Sequence, residues 1–132
     1  MAEYLNSTSI SKGSRVTGWI LSILPVLIFI MSASFKFIQP GPDFAEGVTK
    51  MGWTPEVMFK LGFVELACAI IYIIPQTSYL GAILLTAYMG GAVATHLRVE
   101  EPFYLQILIG VFIWGGLWLR DTRLRELIPF RS

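Results

Sequence analysis

The chain has 132 residues, of which 55% are apolar and only 14% are charged, and its formal net charge is +1. The mean hydropathy is +0.64. Soluble domains carry about 25% charged residues, so this composition argues against a soluble domain and indicates an integral membrane protein. A nearly neutral chain offers no basic surface for nucleic acid, which is therefore not an expected partner.

Four apolar segments lie at about 16–37, 56–74, 78–97 and 103–119. Each approaches the roughly 20 residues that a helix needs to span the bilayer core. The first exceeds the 7–15 apolar residues of a secretory signal core, so we expect it to be retained. Because the later connections are short, the predicted fold is all-α: an integral membrane four-helix up-down bundle. This transmembrane domain, 16–119, lies between a polar tail, 1–15, and a basic tail, 120–132.

The connection between the first two spans, Gln39–Thr54, is predicted to contain a short amphipathic helix at the membrane surface. Pro42 suits its first position, and Gly52 can end it. Thr54 is a candidate N-cap for the second span, followed by Pro55 as a candidate first helical residue. The apolar residues of the short helix recur at helical spacing, at Phe44, Val48 and Met51.

The basic residues indicate an orientation for the bundle, because an even number of spans puts both termini on one side. Lysine and arginine concentrate on the cytoplasmic side of membrane proteins, so we expect both termini in the cytoplasm. The side of the termini has Lys12, Arg15, Arg120, Arg123, Arg125 and Arg131, and the opposite side has Lys36, Lys50, Lys60 and Arg98.

Polar side chains inside membrane spans usually face the protein interior. Helical spacing places such residues on one face of each predicted span, in the outward half of the bundle. A pocket open toward the noncytoplasmic side follows as a hypothesis, and a buried network that fixes helix register without a ligand is the alternative. We assign no catalytic residue. The candidate pocket residues are Lys36, Glu65, Tyr72, Tyr88, His96 and Gln106.

Small residues on the third span indicate close helix packing. Ala87, Gly91 and Thr95 form a ridge at four-residue spacing, and Gly81 and Gly110 allow further close approach. We expect packing within one chain, with contact to a second copy as the alternative.

Internal metal and haem sites are not expected, since the chain has one cysteine, Cys68, and one histidine, His96. One cysteine forms no intrachain disulfide and no four-thiolate centre, and one histidine does not complete a bis-histidine haem. We therefore expect no intrinsic cofactor and no metal.

The chain resembles the DoxX-like family of bacterial four-span membrane proteins over roughly Gly18 to Leu119. The resemblance rests on Ser34-Phe-Lys36-Phe with Pro40, Gly52-Trp53 with Pro55, Gly62-x-x-Glu65-Leu66, Ile74-Pro75-x-Thr77 with Gly81-Ala82, and Gly90-Gly-Ala-Val-Ala-Thr-His-Leu-Arg98. It implies a multi-pass protein of the bacterial inner membrane. It also adds Arg98 to the candidate pocket, beside Lys36, Glu65 and His96, as a matching polar position.

Better-known members of that family are described as subunits of a thiosulfate:quinone oxidoreductase or of other membrane oxidoreductase assemblies. The leading expectation is an accessory or binding subunit, not an autonomous enzyme, whose pocket takes a quinone, a lipid headgroup or a partner helix. The alternatives are a membrane component of a quinone-linked oxidoreductase, with proton handling by Glu65 and His96, and a small transporter subunit. The expected partners are the lipid bilayer and either a second copy of the chain or a redox partner subunit.

Overall fold

The long helices lie where the apolar segments predict them. The computed structural model describes residues 9–129, and over that range the chain is helical with no strand. The all-α class is therefore confirmed, and each end of the four long helices falls within four residues of its predicted position. The helices are α1 (Lys12–Ile38), α2 (Gly41–Lys50), α3 (Pro55–Ile73), α4 (Ser78–Arg98), α5 (Tyr104–Arg120) and α6 (Thr122–Leu127), with a 3-10 turn at Pro75–Thr77.

Local sequence signals explain where the helices begin and end. The Thr54 hydroxyl accepts a hydrogen bond from the Val57 amide at 3.2 Å, and Pro55 opens α3, as predicted. Gln39 ends α1 with a φ of 50°, and Gly52 takes a φ of 81° just after α2. A left-handed φ is readily adopted by glycine, so Gly52 supplies the predicted turn.

Both predicted tails contain helix within the described residues. Helix α1 begins at Lys12 instead of near residue 16, because the Ser11 hydroxyl accepts a hydrogen bond from the Ser14 amide at 3.2 Å and caps it. Helix α6 forms within the C-terminal segment, with Asp121 as its N-cap. The remaining parts of the two tails, residues 1–8 and 130–132, lie outside the described residues.

The four long helices form a closed ring of contacts. Helix α1 packs against α3 and α5, and α4 packs against the same two helices. Contacts between Ser14 and Leu119, and between His96 and Gln106, join the beginning of one helix to the end of the next, so these neighbours are antiparallel. The fully buried side chains at the centre include Phe29, Tyr72, Leu85, Ile113 and Leu117.

Glycines bring the helices closest together at one end of the ring. A Cβ added at Gly81 would lie far inside van der Waals contact with the backbone of Tyr72, and one at Gly116 would lie 2.9 Å from the carbonyl oxygen of Gly18. The predicted packing role of Gly81 therefore has a structural basis. A Cβ added at Gly91 or Gly110 would meet no atom within 4 Å, so these two glycines do not pack against another helix.

The outer surface of the ring is apolar on every long helix. Helix α1 and the run Pro75–Arg98 are long and apolar enough to cross a membrane, and α5 is apolar but shorter. Helix α3 is less uniformly apolar than these helices, because it contains three charged residues, Glu56, Lys60 and Glu65. Each long helix has a large apolar side chain that is more than half exposed. Examples, in chain order, are Leu27, Phe63, Ile83 and Val111.

Substitution of Gly81 tests the close approach of α3 and α4. Gly81→Ala should lower the free energy of unfolding by about 3 kcal/mol, since the new methyl group overlaps the backbone of Tyr72. Gly90→Ala is the matched control on the same helix, because a Cβ there meets no atom within 4 Å and alanine favours the helix. Thermal unfolding in mild detergent measures both, and equal midpoints would contradict the packing.

Candidate functional site

A cavity of about 670 Å³ lies between the long helices, at the end of the ring where α1 and α4 stop and α5 begins. Its walls come from all four long helices, with α2 and the segment after it contributing further residues. Five residues of the predicted pocket line it together, namely Lys36, Glu65, Tyr88, His96 and Gln106. The polar spacing along the helices therefore predicts most of the polar wall.

Lys36 and Glu65 form a buried ion pair across α1 and α3. The Lys36 ammonium lies 2.8 Å from Glu65 Oε2 and also donates to the Ser32 hydroxyl at 2.6 Å. The two side chains are only 14% and 3% exposed. A lone charge in such a place is strongly unfavourable, so each residue needs the other. Gly62 permits the approach, because a Cβ there would lie 3.2 Å from the Lys36 Cβ.

His96 and Gln106 form a second polar pair across α4 and α5. His96 Nδ1 lies 2.8 Å from the Ala92 carbonyl oxygen, which assigns the ring proton to Nδ1 and leaves Nε2 as an acceptor. The Gln106 amide nitrogen then donates to Nε2 at 3.2 Å. This fixes the orientation of the amide, and Gln106 Oε1 stays buried without a hydrogen-bond partner among the described residues. Buried acceptors of this kind are rare, and a ligand donor would satisfy it.

Apolar side chains make up most of the remaining wall. Met31 and Phe35 on α1 and Leu105 on α5 line the cavity and are about half exposed, so the cavity reaches the outer surface between these two helices. The Tyr88 hydroxyl has no hydrogen-bond partner within residues 9–129, and its ring packs edge-on against Phe29. The site therefore combines an apolar path with polar groups at its inner end.

Helix α2 is amphipathic, as predicted, and its apolar face turns toward the bundle. Val48 is buried, and Phe44, Met51 and Trp53 line the cavity. The sequence reasoning missed these three as site residues, although Phe44 and Met51 share the predicted apolar face with Val48. A spacing pattern identifies such a face without saying what covers it.

Two polar contacts join the end of α2 and the residue after it to the end of α4 and the connection that follows. Lys50 forms an ion pair with Glu101, and the Arg98 guanidinium donates to the Met51 carbonyl oxygen. Arg98 is therefore outside the cavity wall, which corrects its predicted place in the pocket. The last turn of α4 points its side chain past the bundle, toward the end of α2.

Tyr72 also lies away from the cavity. Its hydroxyl donates to the Ile113 carbonyl oxygen at 2.7 Å and is 3.0 Å from the Ser22 hydroxyl. Tyr72 is seven positions after Glu65, which is about 10 Å along a helix. The two residues share a face of α3, but the helix carries Tyr72 to the closely packed end of the ring.

Comparison with protein families identifies the family of the chain, and the matched range includes the residues that line the cavity. The model of the DoxX-like family matches residues 20–117 of this chain. The chain belongs to the DoxX-like family. No curated protein and no solved structure matches it. Every residue that lines the cavity of this DoxX-like protein falls inside the matched range.

The ion pair can be tested by unbalancing it. Lys36→Met should lower the free energy of unfolding by about 3 kcal/mol, because it leaves Glu65 buried without its partner. The double variant Lys36→Met with Glu65→Leu should be more stable than Lys36→Met alone. Lys60→Met is the control on the exposed pair with Glu56, and it should change little. A double variant less stable than Lys36→Met alone would contradict the pairing.

The contact between α2 and the α4–α5 connection should depend on pH. The hydrogen bond and charge of Lys50 lower the pKa of Glu101, and Glu101 in turn raises the pKa of Lys50. The contribution of ionised Glu101 to the stability of this contact is complete above its ordinary pKa, and it is lost as the pH falls through the lowered pKa. The contribution of protonated Lys50 to the stability of the contact is complete below its ordinary pKa, and it is lost as the pH rises through the raised pKa.

Spin labels can measure this dependence. With Cys68 replaced by alanine, labels at Ala45→Cys and Pro102→Cys should give a narrow distance distribution near neutral pH and a broader one once the pH falls below the lowered pKa of Glu101. Adding Glu101→Gln should broaden the distribution at every pH. A distribution that is equally narrow in that variant and at all pH values would show that the ion pair does not hold α2.

Proposed function

We propose that the four long helices cross the bacterial inner membrane as an up-down bundle with both termini in the cytoplasm. Exposed apolar side chains on all four helices support this arrangement, since contact with lipid tails is more favourable for them than contact with water. The charge distribution supports the orientation. The charges inside α3 are compatible with a span, because Glu56 and Lys60 lie in its first two turns and Glu65 pairs with Lys36.

In that membrane, we propose that the protein is an accessory or binding subunit whose cavity holds the polar headgroup of a small amphipathic molecule. One observation carries the proposal: the mainly apolar lining of the cavity includes Gln106, whose buried Oε1 has no hydrogen-bond partner among the described residues. Its volume of about 670 Å³ is within the range typical of small-molecule sites. A wholly structural network would satisfy its buried acceptors internally.

A quinone fits this combination of groups well. Its ring carbonyl oxygens accept hydrogen bonds, which the Tyr88 hydroxyl and the Lys36 ammonium can donate. Its reduced form carries hydroxyl groups, and one of these can donate to Gln106 Oε1. The isoprenoid tail would leave along the apolar wall of Met31, Phe35 and Leu105. A lipid headgroup uses the same donors and acceptor, whereas a partner helix leaves Gln106 Oε1 without a matching donor unless it brings a polar side chain.

Native mass spectrometry tests the binding. Protein in mild detergent is titrated with decylubiquinol, the reduced form that carries hydroxyl donors, and, in parallel, with phosphatidylethanolamine. One molecule should bind, and Gln106→Leu should weaken binding by about tenfold, since it removes a hydrogen bond to a buried acceptor. Gln76→Leu, in the exposed turn after α3, is the matched control and should bind as the unchanged protein does. Failure of both probes, or binding indifferent to Gln106→Leu, would contradict the proposal.

A second function, membrane component of a quinone-linked oxidoreductase, is favoured by the presence of Glu65 and His96 in one cavity. A carboxyl and an imidazole can pass protons to a quinone while a partner subunit supplies electrons. Quinone reduction by reconstituted membranes should then fall in Glu65→Gln and His96→Ala, and unchanged rates in both variants would exclude it. Liposome flux measurements separate either role from that of a small transporter subunit.

A further inference from the structure

A second polar cavity lies at the opposite end of the ring. It has a volume of about 410 Å³ and is formed where the start of α1 meets the end of α5 and the start of α6. Its charged lining residues are Arg15, Arg120, Arg123 and Asp121. All four fall outside the range matched by the DoxX-like family, so membership of that family implies nothing about this cavity.

Among the residues that the structure describes, the carboxylates do not balance the positive charge of this cavity. Asp121 is the one carboxylate in the lining, and it is already engaged, since its Oδ1 accepts from the Arg123 amide at 2.9 Å and lies 3.8 Å from Arg123 Nε. Arg15 has no ion pair or side-chain hydrogen bond within residues 9–129. Three arginines therefore face a single carboxylate.

Arg120 has a hydrogen-bond donor that the described residues leave unsatisfied. Its Nε donates to the Ser22 hydroxyl at 3.1 Å, and its guanidinium lies 4.0 Å from the centre of the Trp19 ring, so the side chain is held in place. Its Nη2 is buried with no hydrogen-bond partner among the described residues. A buried guanidinium nitrogen without an acceptor is unfavourable. Arg120 also adds a positive charge to the cavity lining that forms no ion pair with a carboxylate of the described residues.

Arg125, nearby on α6, differs from these arginines because its hydrogen bonds have a structural role. Its Nε donates to the Trp118 carbonyl oxygen at 2.7 Å and its Nη2 to the Leu119 carbonyl oxygen at 2.8 Å. These are carbonyls of the last turn of α5, which have no partner within their own helix. The role of Arg125 is thus fully explained by the fold, whereas those of Arg15, Arg120 and Arg123 are not.

We propose that the cavity bounded by Arg15, Arg120 and Arg123 binds a phosphate group. The planar guanidinium groups match the oxygens of phosphate, and a phosphate would balance the excess charge. The phosphate can be carried by an anionic phospholipid or be free in solution, and the two sources share this chemistry. The site is separate from the cavity around Glu65 and does not depend on the function proposed for it.

The test compares two positive residues that lie one turn apart on α1. Arg15 lines the cavity and Lys12 does not, and both are exposed, so neither substitution should disturb the fold. Delipidated protein in mild detergent is titrated with phosphatidylglycerol or with inorganic phosphate alone, and bound molecules are counted by native mass spectrometry. Thermal unfolding of each variant confirms that the fold is intact.

One phosphatidylglycerol should bind, with affinity lowered about tenfold by Arg15→Gln and by Arg123→Gln and changed less than twofold by Lys12→Gln. If inorganic phosphate binds with the same sensitivity to Arg15→Gln, the source is free phosphate. If only phosphatidylglycerol does so, the source is a lipid headgroup. Absence of binding by both probes, or equal losses in Arg15→Gln and Lys12→Gln, would overturn the proposal, since the latter result indicates diffuse surface charge.

Discussion

The ion pair between Lys36 and Glu65 is the interaction on which the rest of the site depends. Two charges that are almost removed from solvent stay favourable only while they remain together, so α1 and α3 have one acceptable axial register. Gly62 lets the stem of Lys36 reach across, and Ser32 satisfies a further donor of its ammonium group. The cavity is built around this fixed contact.

The two ends of the helical ring have different packing, and this difference creates the cavity. Gly18, Gly81 and Gly116 let the helix backbones approach closely at one end, where Tyr72 fills the centre. At the other end the helices leave space between Lys36 and Gln106, and α2 covers part of it. Interiors of proteins are normally close-packed, so an open space with polar groups at its inner end favours a binding role over a purely structural one.

Much of this arrangement follows from sequence patterns whose physical basis is local. Apolar length predicts the long helices, and Thr54 with Pro55 predicts the start of α3, because capping depends only on neighbouring residues. Polar spacing predicts that Lys36, Glu65 and His96 each face the interior of the bundle, since residues three or four apart share a helix face.

Other features depend on contacts between helices, which spacing along one helix does not determine. Tyr72 shares a face with Glu65 and yet lies at the other end of the ring, because a common face does not fix depth. Arg98 contacts the end of α2, because its position depends on how the connections fold back.

The most direct test of the binding role is an experimental structure of the protein in a lipid bilayer without added ligand. The proposed function predicts density that occupies the space between Lys36, Glu65 and His96, contacts Gln106 Oε1 and continues outward past Met31 and Leu105. A closed network in which Gln106 Oε1 finds a partner within the protein, with the space between the helices filled by side chains, would contradict it.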